Sequence, residues 1–172
     1  MGAKRKTVRN NIYKVEKAMD EIRGKKVVVG HLGGGEQAWL AAIHEYGMKI
    51  KVTPKMRAWL NANGLHLKKE TQYITIPERS FLRSGFDTHH EEVIDKTNHL
   101  LGDVMGGTMS ADDFCNIVGT LLRDKIREFA VDLKNPANHP FTVERKGSSN
   151  PLVDTGDLVE SIVFEVEGWY YG

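Results

Sequence analysis

Cysteine is nearly absent from this chain: Cys115 is the only one in 172 residues. No disulfide can close within it, and its cysteine usage gives no sign of secretion. No apolar run approaches the ~20 residues that a membrane-spanning helix needs. Lys4, Arg5 and Lys6 stand near the start with no apolar segment behind them. A signal peptide is therefore not expected, and synthesis in a cytoplasm is the default. Neither sign of charge is in excess. Lys and Arg number 24 against 23 Asp and Glu, a formal net charge of +1. No global field drives the chain toward nucleic acid or a membrane surface. Internal repeats and low-complexity segments are absent as well.

What is present suits a soluble globular domain: 40% hydrophobic and 27% charged residues, in a length that can bury a real core. Residues 1–7 read as a basic, flexible tail, and residues 8–172 as one domain. Val8, Ile12, Val15, Met19 and Ile22 recur at helical spacing. Val27-Val28-Val29 reads as a strand, because β-branched side chains suit a pleated buried surface. Residues 36–46 read as a short helix with Trp39, Leu40, Ile43 and Tyr46 inward and Gly47 as its stop. Met48, Ile50 and Val52 alternate with Lys49 and Lys51 as a half-buried strand. Thr53-Pro54 is a helix start, and residues 72–76 form another strand.

Val93, Ile94, Thr97, Leu100, Leu101, Val104 and Met105 share a helical stripe over about 88–105. A second long helix over about 112–133 starts at Ser110-x-x-Asp113, which resembles a capping box. Residues 136–151 read as a long surface loop, mobile until an assembly orders it. Residues 161–167 are the final strand. The expected fold is α+β: a small antiparallel or mixed β-sheet packed by two longer α-helices, with an N-terminal helix.

The chemical signals are weak. Gly33-Gly34-Gly35-Glu36-Gln37-Ala38 follows a strand, opens a helix and fits the relaxed dinucleotide fingerprint. A nucleotide- or nucleic-acid-binding enzyme using the 30–38 glycine loop is the alternative from another class. Against it, Glu36 sits where a phosphate would, and no acidic residue follows for a ribose. His89, His90, Glu91, Glu92 and His99 lack the spacing of a shared metal site and suit a solvated helix end. His44 reads as a packed or surface histidine, and Cys115 as a buried structural cysteine. Lys4 to Arg9 and Lys49 to Arg57 are locally basic. They read as solvated faces or as a contact for DNA phosphates or an acidic partner. No catalytic, cofactor-binding or metal-ligating residues are assigned.

Three phrases carry more. They are Ile43-His44-Glu45-Tyr46-Gly47, Ile76-Pro77-Glu78-Arg79-Ser80-Phe81-Leu82-Arg83 and Pro151-Leu152-Val153-Asp154-Thr155-Gly156-Asp157-Leu158. Each mixes a backbone-shaping residue with apolar anchors and charge. In that order they resemble the virion morphogenesis, or tail-completion, proteins of tailed phages, over roughly residues 27–166. Those proteins have a helix ending in an acidic-aromatic-Gly step, an Ile-Pro-x-Arg-x-Phe-Leu phrase and a Pro-Leu-x-Asp-Thr-Gly-x-Leu phrase. The commonest form has a second Pro where this chain has Ser80. The segment from Val52 to Arg57, with the helix it opens, looks like an insertion found in some members only.

The resemblance implies a structural virion protein, not an enzyme, that completes the upper end of the tail or joins tail to head. It implies a homo-oligomeric ring in the virion tail or neck. The partners would be a head–tail connector or adaptor and a tail tube or terminator protein. Passive contact with DNA in a channel, and none with membrane, would go with it. A tail terminator or head-closure ring is the alternative within virions. The assembly surface it implies comprises Tyr46, Pro77, Arg79, Phe81, Leu82, Arg83 and Asp154. Phe81 and Leu82 would anchor in a groove, and Arg79 and Arg83 would pair with acids. Pro77 would fix an extended exit from the strand. Asp154 and Thr155 would cap a turn in which Gly156 takes a conformation closed to other residues.

Overall fold

The computed structural model describes the backbone of residues 2–168 and the side chains of residues 12–168. In chain order its elements are α1 (Gly2–Arg23), β1 (Lys25–Gly30), α2 (Gly35–Tyr46), β2 (Met48–Lys51), α3 (Pro54–Ala62) and β3 (Tyr73–Ile76). Then come α4 (Phe81–Thr97), α5 (Leu100–Gly106), α6 (Ala111–Asp132), α7 (Pro140–Lys146), α8 (Asp157–Glu160) and β4 (Val163–Gly168). The fold is α+β. Its strands make two antiparallel pairs, β1 with β4 and β2 with β3, where a single sheet was expected. β2 and β3 pair with each other across the intervening α3, and Val52 N donates to Gln72 O at 2.8 Å to extend their ladder. No helix among the described residues is long and apolar enough to cross a membrane.

The chain divides into two compact units. One takes Met1–Leu32, Phe86–Ile126 and Ile162–Gly172; the other takes Gly33–Gly85 and Arg127–Ser161.

In the first unit, α1 packs on α5 and β1. Its inward stripe is Val15, Ala18 and Ile22, with Ala18 buried, while Ile12 and Met19 face solvent. The inward stripe thus runs through the small Ala18 rather than through Ile12 and Met19. The side chains of Lys4, Arg5, Lys6, Val8 and Arg9 lie outside the described residues. The expected helix over 88–105 is two helices, α4 and α5. Thr97 turns its hydroxyl back to Val93 O at 2.8 Å at the break, a bond that competes with the helical ladder. Val93, Thr97 and Val104 are buried, whereas Ile94 is exposed.

Ser110 caps α6 as its spacing predicts. Its Oγ accepts from Asp113 N at 3.0 Å and donates to the Asp113 carboxylate at 2.7 Å. Gly119 of α6 lies against the Phe164 ring of β4, so close that a Cβ there would collide with the ring. Lys25 pairs with Asp112 at 2.6 Å.

The second unit holds α2, the β2–β3 ribbon, α3, α7 and α8. Thr53 caps α3 by accepting from Met56 N at 3.1 Å, with Pro54 in the first turn. The expected loop over 136–151 contains α7. His139 Nδ1 accepts from Phe141 N at 3.2 Å, Pro140 opens the helix, and Gly147 ends it at φ 69°. The Pro, Asn and Ser that suggested a loop are this helix's start signal and its flanks. Arg145 holds α7 to α3, its guanidinium 4.9 Å from the Trp59 ring centre.

Candidate functional site

α2 ends in the first phrase, and its inward face is Ala41, Ile43 and Glu45. Trp39 and Tyr46, expected to face inward, are 62% and 67% exposed. The inward position at the helix end goes to a carboxylate instead. Glu45 is 3% exposed, and its oxygens receive four donors from the second phrase. Ser80 Oγ donates at 3.0 Å, Leu82 N at 2.9 Å, Arg83 N at 3.1 Å and Arg83 Nε at 2.9 Å. Leu82 and Arg83 belong to the first turn of α4, whose amides have no partner within the helix. Glu45 therefore caps α4 from another element, and its negative charge suits a helix N-terminus. Arg83 also donates to Glu45 O at 3.2 Å and to Glu78 at 2.8 Å. The two carboxylates raise the pKa of its guanidinium. Gly47 explains how the phrases come so close. Its φ is 71°, and a Cβ there would meet Glu78 N at 2.9 Å and Ile76 O at 3.0 Å.

Arg79 is the second hub and is 4% exposed. Its backbone N donates to His44 O at 2.6 Å. Its guanidinium reaches a different stretch of chain: Nε to Pro136 O at 2.7 Å, and Nη2 to Ala137 O at 3.2 Å and Asn138 Oδ1 at 3.1 Å. His44 Nδ1 lies 3.4 Å from Nη1 and accepts from it. Among the described residues no carboxylate faces Arg79, and burial lowers its pKa. Burial, then the charges of Arg79 and Lys146, pull His44 from 6.5 to about 4. His44 is therefore neutral at pH 7.

The third phrase folds back to the same residues. Asn150, just before it, accepts through Oδ1 from Leu152 N and Val153 N, each at 3.0 Å, and donates through Nδ2 to Val131 O at 2.7 Å. Thr155 Oγ1 accepts from Asp157 N at 3.4 Å, and Gly156 takes φ 100° before α8. Leu152, Leu158 and Val159 are buried. Leu152, Asp154 and Leu158 line a cavity of about 280 Å³ together with Gln37, His44 and Lys146.

The residues of the implied assembly surface thus separate. Phe81 is fully buried and Arg79 nearly so. Both serve the interior, because the grooves and acceptors proposed for them in a partner are supplied within this chain. Pro77 and Leu82 are half-buried. Tyr46, Arg83 and Asp154 are exposed, and the Arg83 guanidinium stands 5.1 Å from the Tyr46 ring centre. Glu45, Asn138 and Asn150 are given no site role by the sequence, where Glu45 is only the acid of the acidic-aromatic-Gly step and the two asparagines read as loop residues. Asn150-Pro151 is a turn signal that could have found one of them.

The other chemical leads stay apart. Gly33, Gly34 and Gly35 are exposed, and Gly34 offers α2 no side-chain cap. His90 Nδ1 lies 3.1 Å from Phe86 O, and its ring stacks on Phe86 at 5.0 Å. Cys115 is buried, and burial pushes its thiol up. No group of three or more His, Cys, Asp and Glu among the described residues could hold a metal ion. No protein-family model, no curated protein and no solved structure matches this chain.

Proposed function

We propose that this chain is a structural protein of a tailed phage or prophage, one subunit of a ring that completes the upper end of the tail or joins tail to head. It would be made in the host cytoplasm and sit in the virion, between a head–tail connector or adaptor and the tail tube or terminator. One observation carries the reading. Three phrases separated by about thirty and about seventy residues meet in one unit, in the order that resembles tail-completion proteins. Their charged groups are committed to positioning backbone. Glu45 caps a helix, Arg79 spans two chain segments, and His44 is held neutral between them. Such a frame suits a part that must hold its shape under load, and it leaves Tyr46 and Arg83 facing outward.

Quantitative mass spectrometry of purified particles, with the mass of the isolated protein in solution, tests the proposal. A small fixed copy number per particle and a closed oligomer are the expected results. Absence from particles, in a protein that stays monomeric, would overturn it.

A further inference from the structure

The geometry points to the lobe formed by β2, α3 and β3 as a surface that binds the nucleic-acid phosphate backbone without reading sequence. Between Met48 and Ile76 stand Lys49, Lys51, Lys55, Arg57, Lys68 and Lys69 against one acid, Glu70. That stretch carries a net +5, so the remaining residues sum to −4 and the chain's +1 conceals the separation. Segregated charge of this kind is an electrostatic footprint in its own right.

The ribbon's register concentrates it. Lys49 stands opposite Thr75 and Lys51 opposite Tyr73. Strand alternation puts these four on one face, and all four are exposed. Ile50, Ile74 and Ile76 take the other face, half-buried. Arg57 ties the loop to the same lobe, donating to Leu67 O at 3.2 Å, Lys68 O at 2.8 Å and Thr71 O at 2.5 Å. These acceptors are neutral carbonyls, so its charge stays uncompensated.

Among the described residues none of Lys49, Lys51, Lys55, Lys68 and Lys69 has an ion-pair partner. Elsewhere several lysines do pair: Lys17 with Glu21, Lys25 with Asp112, Lys26 with Glu167, and Lys96 and Lys125 with Glu92. The density of unpaired charge favours a polyanion: a duplex offers about one negative charge per 1.7 Å of its axis, so several of these lysines can each meet a phosphate at once. Tyr73, 54% exposed beside this row, adds a flat aromatic face.

This inference rests on charge placement and stands whether or not the chain belongs to a virion. Fluorescence anisotropy with a labelled random-sequence duplex of about 30 base pairs, from about 50 to 200 mM salt, tests it. Binding that falls steeply with salt is expected. Lys49→Gln, Lys51→Gln and Lys69→Gln together should weaken it tenfold or more at low salt. They should also flatten the log–log slope by between about 2 and 3, near 0.9 for each lost phosphate contact. Lys134→Gln, an exposed lysine outside the lobe, should change neither. No binding at low salt overturns the inference. So does an equal loss with Lys134→Gln, or capture of poly-glutamate with no capture of duplex. Unchanged circular dichroism in the triple variant ties any loss to the surface. Particle copy number reports on the virion proposal alone, so either reading can fail without the other.

Discussion

Glu45 is the residue that joins the first phrase to the second. Glu45→Ala removes the acceptor for Ser80, Leu82 and Arg83 at once and leaves α4 uncapped. Deleting a helix cap costs about 0.5–2 kcal/mol, and urea unfolding should show a loss of at least that size. Phe81→Ala should cost ~3–5 kcal/mol as a core truncation. Its effect on assembly should then follow from instability rather than from a lost contact. Tyr46→Ala separates the two cases, since an exposed ring can leave the fold unchanged and still weaken association. His44 makes the unit sensitive to pH. It titrates at about 4 when folded and near 6.5 when unfolded. Between those values the unfolded chain takes up the proton and the folded chain does not. Stability therefore falls as pH drops from about 6.5 to about 4, and the His44 contribution is constant above and below that window. Urea midpoints of wild type and His44→Asn, compared across the window, should differ in slope. A flat difference would show that the imidazole is not held neutral.

At the scale of the element, Gly47 and Gly34 make a controlled pair. Both have positive φ, 71° and 69°, but only Gly47 has backbone within 3 Å of where a Cβ would sit. Gly34→Ala should cost about 1–3 kcal/mol of backbone strain, because φ 69° with ψ −158° is open essentially to Gly alone. Gly47→Ala should cost more than Gly34→Ala, because the β3–α4 junction must also give way. Thermal unfolding of the two variants checks the difference. Element type was largely readable from the sequence, since Val27–Val29, Thr53-Pro54 and Ser110-x-x-Asp113 each have a local cause for the structure they adopt. Orientation was harder. Trp39 and Tyr46 sit on an inward-looking pattern, yet the inside of α2 belongs to Ala41 and Glu45. A buried carboxylate has a reason to be there only once Ser80 and Arg83 arrive from more than thirty residues away. α7 was missed for a related reason. A cap formed by a histidine ring is chemically unusual, and Asn138 and Asn150 look like loop residues until their partners are known. Phe81 and Arg79 were legible as important residues, but their partners lie within the same chain.

For the molecule as a whole, the path of the chain matters more than any single contact. It passes between the two units four times, so no single cut separates them. Truncation at any point between residues 34 and 160 should leave both incomplete. Deleting residues 163–168 should remove the β1–β4 ladder and, with Phe164, the ring against Gly119. Loss of cooperative unfolding in that variant is the expected result, and circular dichroism during urea titration checks it. The ladder also puts a clock on biosynthesis. Lys26 pairs with Glu167, a separation of 141 residues. At about 5–20 residues per second, a ribosome that has made β1 needs on the order of 10 s to deliver its partner. For that interval Val27, Val28 and Val29 form a bare strand edge on a nascent chain, the kind of edge that recruits other chains. Newly made copies are therefore most vulnerable to one another on crowded polysomes, and holding factors or faster elongation after β1 would raise the soluble yield.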